Sequence, residues 1–154
     1  EKVYQKLVAV FPNKQIYQIN LCIAWISNGK YEEAINELYK LDLEHPDDRN
    51  VHRVLAWALL CQGKVEQADR EYHKLLDMKS PDPDDYLNAG YCKWMQHQID
   101  SAIDLFRTFI KVADFSSSAD KIMELEKQMK EDQKFLNDHG FTDTDIKLMC
   151  DLCA

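Results

Sequence analysis

The side chains of this chain that could do chemistry are its cysteines, its histidines and its clustered acids. Cys150-Asp-Leu-Cys153 has the spacing of half a zinc site or of a redox pair. A structural zinc needs a second such pair, and a redox pair needs a neighbouring strand pattern. Neither is present, and the spacing reads instead as one face of a helix. His45, His52, His73, His97 and His139 are scattered and do not form HExxH. No GxSxG and no phosphate-cradling glycine loop occurs, and Asp47-Asp48 and the acids between Asp82 and Asp85 stand at helix starts, where negative charge suits the dipole. The pattern implies no enzyme, no cofactor and no metal ion.

Those residues must be carried by elements, and the elements are helical. The 154 residues suit one domain of moderate size with a continuous core, and the four glycines and four prolines fall mostly between helical segments, with no alternating β pattern. A net charge of −8 argues against a sequence-independent grip on nucleic acid and against an anionic membrane surface. No apolar run reaches the roughly 18 residues of a membrane span, and no secretory leader is visible. Five cysteines, an odd number placed mostly at small packed helix positions, point to a reducing, cytoplasmic compartment. The first residue is glutamate, so the natural N-terminus and any signal on it can lie upstream.

One pattern is written three times. Gly29-Lys-Tyr-Glu-Glu-Ala34 returns as Gly63-Lys-Val-Glu-Gln-Ala68 and, in altered form, as His97-Gln-Ile-Asp-Ser-Ala102, at intervals of 34 residues. Leu38, Tyr72 and Phe106 follow the three alanines, and Pro46 repeats Pro12 at the same interval. The series resembles the tetratricopeptide repeat family, with Leu21, Cys22, Trp25, Gly29, Tyr31, Ala34, Leu38 and Pro46 on its signature positions in the first copy. Lys93, His97 and Asp114 depart from that signature in the third, which leaves its helix–helix turn as the open point.

The resemblance implies an all-α, right-handed α-solenoid of about three helix-turn-helix repeats with C-terminal capping helices. Residues 1–14 would hold the second helix of a preceding repeat or an N-terminal cap. Residues 15–48, 49–82 and 83–114 would be the repeats, and 115–154 the capping helices. Helices are expected over 15–27, 31–44, 51–61, 65–78, 86–96, 99–112, 119–139 and 143–153, with Thr142 and Asp145 as a capping-box pair. Cys22, Ala34, Ala56, Ala68, Gly90 and Ala102 fall where paired helices come close.

The first helix of each repeat lines the concave face of such a solenoid. Ile16, Ile19, Ile23 and Ile26 stand there first, then Asn50, Arg53, Trp57, Leu60 and Cys61, then Asp84, Leu87, Tyr91, Trp94 and Met95. The composition is that of binding hot spots, and a protein or peptide partner with two or three apolar anchors is the expected ligand. The partner-binding residues expected are Ile19, Ile23, Ile26, Arg53, Trp57, Leu60, Leu87, Tyr91, Trp94 and Met95. The stripe could equally be covered by the C-terminal helices, by a missing repeat or by self-association into a homo-oligomer. Some relatives hold the carboxylate tails of heat-shock chaperones with cations here. Ile19, Ile23, Val54, Asp84 and Asn88 occupy the matching places and lack those cations. The resemblance also admits a small chaperone like those of type III secretion translocators, or a self-associating structural or regulatory domain of a larger protein.

Overall fold

A helix that reverses into its neighbour within three residues must satisfy its last carbonyls, and a left-handed residue just past its end does so. Gly29, Gly63 and His97 take that conformation, with φ of 76°, 83° and 61°. The same two bonds close each turn. Lys30 N–H donates to Trp25 O at 2.8 Å and Gly29 N–H to Ile26 O at 3.0 Å, and the second turn repeats this with Lys64 to Leu59 and Gly63 to Leu60. In the third, Gln98 N–H donates to Lys93 O and His97 N–H to Trp94 O, both at 2.9 Å. The turn whose glycine is missing is therefore built like the others, at the cost of left-handed backbone in a β-carbon residue.

The computed structural model describes residues 1–11, 14–115 and 119–154. Among them the chain is all helical, in the order α1 Lys2–Val10, α2 Gln15–Ser27, α3 Tyr31–Glu44, α4 Arg49–Cys61, α5 Val65–Asp77, α6 Pro83–Met95, α7 Ile99–Val112, α8 Lys121–Glu131, α9 Gln133–Asp138 and α10 Asp143–Cys153. Pro12, which extends the register upstream, and residues 116–118 of the expected capping segment lie outside the described residues. The helices form two compact units, Glu1–Pro81 and Asp82–Ala154.

In the first unit α2 packs on α3, α4 on α5, and α2 and α3 both meet α4. Cys22, Ala34, Ala56 and Ala68 are wholly buried at those approaches, opposite the buried Leu38 and Tyr72 rows. α4 begins at Arg49, two residues before the expected start, because the Asp48 carboxylate caps it, accepting from Asn50 N–H at 2.8 Å and Val51 N–H at 3.4 Å.

In the second unit α6 pairs with α7, and α8 and α10 pack on α7 and on each other. α6 starts at Pro83 rather than at residue 86. Asp82 and Asp85 form a reciprocal capping box, and proline at the first helical position needs no N–H there. Gly90 of α6 lies so near α7 that an added Cβ would stand 2.4 Å from Phe106 Cε1. The helix expected over 119–139 is divided at Asp132 into α8 and α9. The carboxylate of Asp132 accepts from the hydroxyl of Tyr91 at 2.9 Å, which ties the break to α6. Leu125, Met129 and Leu136 are fully buried in one cluster with Leu87, Tyr91, Phe106, Phe141, Ile146 and Met149, so these helices complete the core of the unit. Thr142 and Asp145 form the expected capping box of α10, with Thr142 N–H donating to Asp145 Oδ2 at 2.7 Å.

Candidate partner-binding surface

α2 and α4 are neighbours in the first unit, and neither contains an aspartate or glutamate in a chain of net charge −8. α2 is apolar on more than one face, so packing on α3 and α4 buries only part of its apolar surface. Ile19 and Ile26 are buried, whereas Ile16 and Ile23 stay 52% and 45% exposed. On α4, Arg53 and Trp57 are one turn apart and half-buried, and Leu60 is fully buried. Arg53 Nη1 donates to Asn50 Oδ1 at 3.1 Å, which aligns the guanidinium along the helix. Of the expected stripe on this unit, Ile16, Ile23, Arg53 and Trp57 therefore keep solvent exposure, while Ile19, Ile26 and Leu60 are buried.

In the second unit the expected stripe divides differently. Leu87 and Tyr91 are buried. The Tyr91 ring meets Phe106 at 5.8 Å, Phe135 at 6.2 Å and Phe141 at 6.3 Å between centroids, so the C-terminal helices cover it. Burial, and then the Asp132 carboxylate, push the Tyr91 hydroxyl well above its ordinary pKa. Trp94 and Met95 are half-buried and line a cleft of about 400 Å³ with His97, Ile99, His139, Gly140, Phe141 and Asp145. Sequence reasoning could not see this cleft, because His139, Gly140 and Phe141 reach it from a turn more than 40 residues away in the chain.

The remaining chemical candidates are packing residues. Burial pushes the thiols of Cys22, Cys61 and Cys150 up to about 12 and that of Cys153 to about 11, which disfavours the thiolate needed for metal or redox chemistry. Cys150 Sγ lies 3.8 Å from Met129 Sδ inside the core. Among the described residues no group of three or more His, Cys, Asp or Glu is placed to hold a metal ion, and no helix is long and apolar enough to cross a membrane.

A polar cluster escaped the sequence reading. His52 is 3% exposed, with its Nδ1 2.9 Å from Glu71 Oε2, its Nε2 2.6 Å from Pro46 O, and Asp42 Oδ1 3.5 Å from the same Nε2. Repeat comparison held a signal for it. Asp42 stands where the 34-residue register places Val8, Leu76 and Ile110 in the other copies.

Three helix-turn-helix copies closed by one turn geometry have the form of a tetratricopeptide-type helical repeat. No family model matches the sequence. Over 104 residues the chain is 29% identical to tetratricopeptide repeat protein 8 of Caenorhabditis elegans, a match that covers 66% of this chain and 20% of that protein. The chain thus spans about a fifth of the length of this curated relative. The crystal structure of MamA superposes with a TM-score of 0.68 over 99% of this chain and 83% of that one, at 16% identity, which is a likeness of fold. The register, the turns and the curated relative together support assignment to the tetratricopeptide repeat family.

Proposed function

We propose that the chain is a non-enzymatic interaction module that holds a segment of a protein partner against α2 and α4 of its first unit. The observation that carries this reading is the exposure of Ile16 and Ile23 on α2, with the half-buried Arg53 and Trp57 on its neighbour α4, two helices that contain no acid in an acidic protein. Exposed isoleucines beside a tryptophan and an arginine have the composition of an interface centre. The fitting ligand is a short segment with two apolar side chains, for the isoleucine row and the Trp57 ring, and one carboxylate for Arg53. In the second unit, taken by itself, Trp94 and Met95 are a further apolar candidate contact. Repeat scaffolds of this kind serve protein–protein contacts through extended surfaces.

The test is selection of binders from a displayed library of random peptides, followed by affinity measurement on variants. Ile23→Ser and Trp57→Ala should each weaken the selected peptide at least tenfold. Leu43→Ser, at an 85% exposed position on α3, should leave its affinity unchanged. Equal losses at all three positions, or none, would defeat the proposal.

A further inference from the structure

The His52 cluster ties three elements of the first unit together. His52 belongs to α4, Asp42 to α3, Pro46 to the corner joining them, and Glu71 and Lys74 to α5. α2, which also meets α4, has no acidic or basic side chain. A carbonyl oxygen only accepts, so the 2.6 Å contact between His52 Nε2 and Pro46 O requires a proton on Nε2. An ionised carboxylate also only accepts, so the 2.9 Å contact with Glu71 requires one on Nδ1. Both nitrogens carry hydrogen only in the imidazolium.

The surrounding charges agree with that assignment. Lys74 Nζ lies 3.0 Å from Glu71 Oε1, and Asp42 Oδ1, buried without a hydrogen bond, lies 3.5 Å from His52 Nε2. The order Lys74, Glu71, His52, Asp42 therefore alternates in sign. Loss of one proton would leave an Nδ1 lone pair facing the Glu71 carboxylate, and Asp42 Oδ1 without the cation beside it.

We propose that the His52 imidazolium is a proton-operated latch that holds the α3–α4 corner against α5, and that the corner loosens when His52 loses its proton. The inference does not depend on the partner-binding reading. Burial works against the charged ring, but the contacts with Glu71, Pro46 and Asp42 outweigh it and raise the pKa of His52 above its ordinary 6.5. The sign follows. Stability from the latch is fully present below the unfolded value and is lost as pH rises through the higher folded value. Between the two, the opening constant of the corner should grow up to tenfold per pH unit.

The test uses the intact chain. NMR of the histidine rings should place the His52 midpoint above 6.5, with both of its ring nitrogens protonated at pH 6. Amide exchange, expressed as protection factors corrected for intrinsic rates, should show peptides spanning residues 42–56 losing protection across that window, with residues 99–112 unchanged. Glu71→Gln should lower the His52 midpoint and flatten the loss. A His52 midpoint at or below 6.5, a neutral ring at pH 6, or equal pH dependence of the two segments would overturn the proposal.

Discussion

Gly90→Ala tests whether α6 and α7 meet as closely as the repeat pattern demands. A Cβ at residue 90 would stand 2.4 Å from Phe106 Cε1 and 2.6 Å from its Cδ1, whereas ordinary contact begins at 3.4 Å. The ring would have to retreat about 1 Å within a fully buried site, an overpacking that costs about 1–3 kcal/mol. Alanine returns about 1 kcal/mol of helix propensity over glycine, so the net loss should be about 1 kcal/mol. The sign should reverse when the obstacle is removed. In a Phe106→Leu background, where the missing ring leaves room, Gly90→Ala should stabilise by up to about 1 kcal/mol, a coupling of about 2 kcal/mol. Urea denaturation of the two single variants, the double variant and the parent, followed by far-ultraviolet circular dichroism, measures this cycle. Additive effects, or stabilisation by Gly90→Ala in the parent itself, would refute the close approach.

The left-handed turn at His97 costs about 1–2 kcal/mol, and glycine loses about 0.5–1 kcal/mol more unfolded-state entropy, so His97→Gly should raise stability by about 0.5–1 kcal/mol. Gly63→Ala should lower it by a similar amount, since nothing lies within 4 Å of an added Cβ and only the backbone matters. Tyr91→Phe removes the donor to Asp132 and should cost about 1–3 kcal/mol in thermal or urea unfolding. Burial raises the Asp132 carboxyl above its ordinary 3.8, so its contribution is present below that value and lost as pH rises through the folded value. Without the Tyr91 hydroxyl the ionised form is worse off still. The deficit of the variant should therefore be largest near neutrality and shrink on acidification. Cys150 and Cys153, with thiols pushed up to about 12 and 11, should resist iodoacetamide in the folded chain and react promptly in urea, as mass spectrometry of the labelled protein would show.

Much of the fold was legible because the helix ends are local events. The bounds 15–27, 31–44, 99–112 and 143–153 follow from apolar spacing and from cap and turn residues within a few positions, and the helices begin and end there. The division at Asp132 was not legible, because the stretch around it has no glycine, proline or other local stop signal. His97 hid its turn, because residue type alone did not reveal that a histidine would take left-handed backbone when both neighbouring helices require it. The candidate surface was legible as a composition but not as an area. Periodicity put Ile19, Ile26, Leu60, Leu87 and Tyr91 on the expected face, yet all five are buried. For Leu87 and Tyr91 the cover is the core completed by α8, α9 and α10, whose alignment over α6 depends on contacts distant in sequence. The His52 cluster left only the break of the repeat pattern at Asp42 in the sequence, because its partners come from α3, the following corner and α5, which only the fold brings together.

The proposed function is tested most directly by mapping a library-selected peptide on the isotope-labelled chain by NMR. Shifts should concentrate at the Ile16 and Ile23 methyls, the Arg53 guanidinium and the Trp57 indole, and should vanish in the Trp57→Ala variant while the rest of the spectrum is preserved. Shifts confined to other surfaces, such as the exposed Leu43 side of α3, would contradict it.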